Sequence, residues 1–110
     1  MPDRDALILL RDETAAEVAT LERDLEALFE ASRSSNADDE HDPEGSTIAF
    51  ERAQLTAVLT AARRRVTDLT DALDRLATGG YGICESCGKP IPAERLAARP
   101  AARTCVACAS

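Results

Sequence analysis

Tryptophan is missing from this chain, and its aromatic complement is Tyr81, Phe29 and Phe50. Large rings supply much of the buried area of a globular core. With 3% aromatics, a 110-residue chain has little from which to build one. The sequence also lacks a long apolar run. Ala6 to Leu10 is a five-residue stretch with charges on both sides, too short for a signal-peptide core or a membrane span. A cytoplasmic protein without a membrane partner is expected, and in that compartment a thiol-rich motif favours metal binding over disulfides. Net positive charge is lacking too. At a formal −7 the chain is a poor non-specific binder of nucleic acid, since phosphate neutralisation supplies most of that affinity.

What is present is Ala, Leu, Arg, Glu and Asp, the composition of long or coiled helices. Leu7, Leu10, Thr14, Val18, Leu21, Leu25 and Leu28 follow one another at steps of three or four residues, a single helical stripe. Pro2 and Asp3 are start signals, and the poor helix formers Ser32 to Asn36 are expected to end the helix. A second stripe, Leu55, Leu59, Ala62, Val66, Leu69, Leu73 and Leu76, is a strict heptad pattern. Stepping back from it reaches Ile48, and also Arg52, where the seam weakens. Ser46 or Thr47 is expected to cap this helix, and Gly79-Gly80 to stop it.

Two helices with one apolar stripe each must pair in water. Joined by a short connection they fold back as an antiparallel hairpin at high effective concentration, in preference to pairing between chains. A monomer is therefore expected. The connection, residues 34–47, holds Asp38, Asp39, Glu40, Asp42 and Glu44 and no Lys or Arg, so the hairpin would carry an acidic tip. The triplet Arg63-Arg64-Arg65 reads as a solvated face with intrahelical ion pairs, because consecutive residues point in different directions around a helix.

Cys84-x-x-Cys87 and Cys105-x-x-Cys108 are separated by seventeen residues. Two such pairs at this separation signal a four-thiolate zinc site. The roughly thirty residues around them are too few to fold on apolar burial alone, and a structural zinc ion makes up the deficit. Four thiolates leave no open position for water, so a catalytic metal is not expected and no enzymatic activity is assigned. His41, the one histidine, sits in the polar connection and is not needed as a ligand. A dithiol redox catalyst would come with a strand-helix-strand scaffold, which is not visible here. Gly88 directly after Cys87 suits the tight turn that aims backbone amides at a thiolate. The expected fold is mainly α: a two-helix coiled-coil hairpin over residues 1–78, then a zinc-finger module over 79–110.

Tyr81-Gly82-x-Cys84-x-x-Cys87-Gly88, followed by Ile91, Arg95-Leu96, Ala98-Arg99-Pro100 and Cys105-x-x-Cys108, resembles the DksA/TraR family of bacterial transcription regulators. The resemblance implies a protein that binds RNA polymerase and inserts its coiled coil through the secondary channel. Acidic tip residues would then lie near the active centre. Many members act with guanosine tetraphosphate in the stringent response. In the better-studied tip motif, Asp-x-x-Asp-x-Ala, Asp39 and Asp42 supply the two aspartates and Glu44 stands at the Ala position. Asp42 is required in either register of that motif. Lys89, Arg95 and Arg99 are candidate contacts to polymerase or alarmone. Longer members continue past the last cysteine into a helix that contributes to those contacts; here Ala109 and Ser110 follow Cys108. Direct sequence-specific DNA binding is not expected. The alternative, a nucleic-acid-binding zinc module dimerising through its coiled coil, is disfavoured by the negative charge and the scarcity of aromatics.

Overall fold

The computed structural model describes residues 2–35 and 43–109. Its helices are α1 (Arg4–Ser35), α2 (Pro43–Thr78) and the short α3 (Ala93–Ala98). Extended structure among the described residues amounts to one isolated antiparallel bridge, Ile83 to Pro90. No described helix is long and apolar enough to cross a membrane.

Asp3 starts α1 as the sequence suggests: the Ala6 N–H donates to Asp3 Oδ1 at 2.8 Å, relieving one of the unpaired first-turn amides. α1 runs through Ser35, inside the Ser32–Asn36 stretch of poor helix formers expected to end it. α2 begins at Pro43 rather than at a Ser46 or Thr47 cap. Proline at a first helical position has its φ preset and lacks the N–H that would go unpaired there. Gly79 stops α2 with φ 88, and the Gly80 N–H donates back to the Arg75 carbonyl at 2.8 Å. That bond closes the left-handed turn that glycine adopts without strain.

Two compact units make up the chain, each taking part of both long helices. The unit Ala15–Arg63 pairs α1 with α2 in antiparallel order, Glu22 meeting Arg63 at 3.2 Å and the Arg52 guanidinium lying 5.2 Å from the centre of the Phe29 ring. Val18, Leu21, Leu25, Leu28, Ile48 and Leu55 are half-buried there, while Leu59 and Ala62 are buried. Arg52 thus explains the gap in the heptad: its charged head takes a ring face where a leucine would take a hole. Arg63 has a carboxylate partner, Glu22, on the other helix.

The second unit joins Met1–Thr14 to Arg64–Ser110. Its core holds Leu7, Leu69 and Ala72 from the long helices together with Tyr81, Cys84, Ile91 and Leu96 from beyond α2. Leu10, Leu73 and Leu76 pack against that cluster. Ala72, fully buried, is not a heptad position; its small side chain makes room for the segment after α2.

Candidate metal centre

The first cysteine pair sits in a tight turn that three backbone hydrogen bonds define. The Gly88 N–H donates to the Cys84 carbonyl (2.9 Å), the Cys84 N–H to the Lys89 carbonyl (2.9 Å) and the Ile91 N–H to the Gly82 carbonyl (2.7 Å). Gly88 turns the chain at φ 74, so a side chain there would be strained even though space is open. The second pair is a helical-type turn, with the Cys108 and Ala109 amides donating to the Cys105 carbonyl at 3.1 and 3.0 Å. Glu85 N–H to Arg103 carbonyl, at 2.9 Å, ties the two turns together.

α3 braces them. Leu96, fully buried, fixes its inner face, and Arg95 Nε donates to the Thr104 carbonyl at 2.7 Å, just ahead of Cys105. The Tyr81 hydroxyl donates to the Pro100 carbonyl at 2.7 Å. Burial raises the Tyr81 phenol above its ordinary pKa, and the nearby Arg75 charge offsets part of the rise.

All four Sγ atoms lie within 4.8 Å of one another, and Cys87 and Cys105 are 3.9 Å apart. Tetrahedral Zn–S bonds of about 2.3 Å require sulfur separations of about 3.8 Å, so the donors fit the ion. None of the four cysteines is in a disulfide. The thiols also compete for one negative charge. Backbone N–H groups of Cys105, Cys87 and Ser86 lower Cys84 to about 6. Cys108 is pushed up to about 12, chiefly by hydrogen bonds with the Cys105, Cys84 and Cys87 thiols. Cys87 is raised as well: the Lys89 amide pulls it down, but its bonds to Cys84 and Cys105 and its burial outweigh that. A divalent cation removes the conflict by taking all four as thiolates. The site holds one structural zinc ion.

Of the remaining sequence candidates, Lys89, Arg95 and Arg99 fall among the described side chains. Asp39 and Asp42 lie outside the described residues, and Glu44 falls within α2 with its side chain likewise outside them. Lys89 is exposed. Arg95 is committed to Thr104. Arg99 is exposed at the edge of a cavity of about 500 Å³ lined by Leu10, Thr14, Arg65, Asp68 and Ala101. Sequence reasoning missed Arg103 and Asp71. The Arg103 guanidinium spans Asp71 on α2 (2.7 Å) and Glu85 in the first cysteine turn (3.1 Å). Nothing periodic marks such a contact in advance.

A two-helix hairpin carrying a four-thiolate zinc module is the class that the fold and site define. Residues 79–110 match the family described as prokaryotic dksA/traR C4-type zinc finger. The structure of transcription factor DksA2 from Pseudomonas aeruginosa superposes with a TM-score of 0.76 at 27% identity, covering 94% of this chain and 74% of that one. Among curated relatives, YteA of Bacillus subtilis (strain 168) is 39% identical over 69 residues, 63% of this chain and 29% of that protein. General stress protein 16O of the same organism is 36% identical over 72 residues, 66% of this chain and 44% of that protein. The matched region thus spans less than half the length of these relatives. Residues 79–110 thus carry the zinc finger of the DksA/TraR family, and the chain shares its fold with a transcription factor of the DksA type.

Proposed function

We propose that the protein is a non-enzymatic transcription regulator that binds RNA polymerase as a monomer in the cytoplasm. The observation that carries this reading is the likeness over 94% of the chain to a transcription factor, zinc module and helical hairpin included. Zinc supplies structure: it fixes the two cysteine turns, and through them the surface that carries Lys89 and Arg99. That surface meets the polymerase or a phosphorylated nucleotide such as guanosine tetraphosphate.

The hairpin is the positioning device. Helices placed against each other along a packed seam hold a connecting segment more accurately than a flexible linker does. The segment between α1 and α2 is acidic, and carboxylates suit a site built around Mg²⁺ and basic side chains. In this reading the hairpin enters the polymerase secondary channel. Asp42, with Asp39 or Glu44, acts near the active centre to modulate initiation. Pull-down with purified core RNA polymerase tests it. Zinc-loaded protein retained at micromolar concentration supports the reading, and no retention at that concentration removes it.

A further inference from the structure

α2 connects to the metal module through Gly79-Gly80, and neither position would meet a neighbouring atom within 4 Å if it carried a Cβ. The turn itself is held by the Gly80 and Tyr81 amides, which donate to the Arg75 carbonyl at 2.8 and 3.2 Å. Arg75 on α2 also reaches the module, at the Ala101 carbonyl (3.4 Å) and over the Tyr81 ring (5.9 Å), and two further sets of contacts join them. The apolar cluster of Leu69 and Ala72 with Tyr81, Ile91 and Leu96 asks that the module be folded. The Arg103 contacts ask more.

Arg103 stands two residues before Cys105, and Glu85 directly follows Cys84. The Arg103 carbonyl accepts from the Glu85 amide at 2.9 Å while its Nη1 donates to the Glu85 carboxylate at 3.1 Å. These two bonds hold one cysteine turn against the other. The same guanidinium donates through Nη2 to Asp71 at 2.7 Å. Asp71 is on α2 and touches neither turn's cysteines in the metal cluster. When both turns are drawn onto an ion, Arg103 is set where it can reach Asp71. When they part, one guanidinium cannot serve both carboxylates. The planar fork of arginine makes the arrangement directional in a way that a lysine ammonium would not reproduce.

We propose that Arg103 couples zinc occupancy to the folding of α2 around Asp71, by holding Asp71 and the Cys84–Cys87 turn, through Glu85, at a single guanidinium. Coupling of this kind is reciprocal: if zinc strengthens the Arg103–Asp71 contact, Asp71 strengthens zinc binding by the same factor. Both ion pairs are about two-fifths exposed, which limits the factor to about two- to fivefold.

Competition titration of zinc against a chromophoric chelator on the full chain measures it, with amide hydrogen exchange along α2 in zinc and in excess chelator as a second readout. Asp71→Ala is expected to weaken zinc binding about threefold, although Asp71 is not a ligand. Adding it to Arg103→Ala is expected to cause no further loss, and Arg103→Lys falls between. In the wild type, exchange near Asp71 slows with zinc by more than in Asp71→Asn, a variant that keeps the side-chain shape should the alanine variants fold poorly. Wild-type zinc affinity in both Asp71 variants overturns the coupling. So does a double variant whose loss is the product of the single ones. Polymerase takes no part in these measurements, so their outcome is independent of the function proposed above.

Discussion

In the unit that joins Met1–Thr14 to Arg64–Ser110, Leu7 and Leu96 are fully buried and Tyr81, Ile91 and Cys84 close around them. In the unit Ala15–Arg63, Leu59 and Ala62 are the buried hydrophobics among the described residues, and the rest of the seam is half-exposed. The first unit has a core and a metal. The second has a stripe, with a salt bridge and an arginine on a ring beside it. A helical pair of the second kind owes its stability to local helix formation and a narrow apolar contact. A unit of the first kind owes it to contacts far apart in sequence, and those depend on the ion. The two should respond differently to the same perturbation.

Zinc removal gives the largest separation. Structural zinc contributes about 10–16 kcal/mol in small finger peptides, so chelation or Cys105→Ser should unfold residues beyond α2 while helicity within Ala15–Arg63 partly survives. Circular dichroism with residue-resolved hydrogen exchange checks this, and uniform loss across both units would break the comparison. Acid should act in the same way. Cys108 lies near 12 and Cys87 is raised in the metal-free cluster, so zinc binds by displacing protons. Its apparent affinity must fall as pH drops, which a zinc titration at several pH values reads directly.

Core truncation comes next. Leu96→Ala should cost about 2–5 kcal/mol, and Leu25→Ala, half-buried in the other unit, about 1 kcal/mol in denaturant melts of the zinc-loaded protein. Similar costs would mean that the stripe is packed as tightly as the core. Tyr81→Phe should cost about 1 kcal/mol through the lost bond to Pro100. Because burial raises the Tyr81 pKa, its contribution is complete below the ordinary phenol value near 10 and is lost as pH climbs through the raised one. The variant's deficit should therefore shrink in alkaline melts. The smallest effect is expected from Arg63→Ala, under about 0.5 kcal/mol, since its pair with Glu22 is more than half exposed.

Leu55, Leu59, Ala62, Val66, Leu69, Leu73 and Leu76 all sit at half-buried or buried positions, and they were legible because a repeat of three and four keeps one face of a helix toward its partner. The cysteine pairs were legible because their spacing is set by the ion rather than by the surrounding chain. The start of α2 was not. Ser46 and Thr47 look like caps, and the preset φ of Pro43 outcompetes them. Asp71, Arg75 and Arg103 were not legible either, since no repeat or motif in the sequence marks their contacts. The close approach of segments 32 residues apart puts Arg103 on Asp71, and the turn after α2 brings the Tyr81 ring under Arg75, 5.9 Å from its centre.

In the proposed function the acidic connection acts on the polymerase, and Asp42 is the residue expected to be required there. In vitro transcription by purified RNA polymerase from a stable-RNA promoter and a biosynthetic promoter, with and without guanosine tetraphosphate, compares the wild type with Asp42→Asn. The account predicts that the wild type alters initiation at one or both promoters, and that Asp42→Asn binds polymerase as tightly but loses the effect. Full activity in Asp42→Asn, or an inert wild type that binds polymerase, would contradict it.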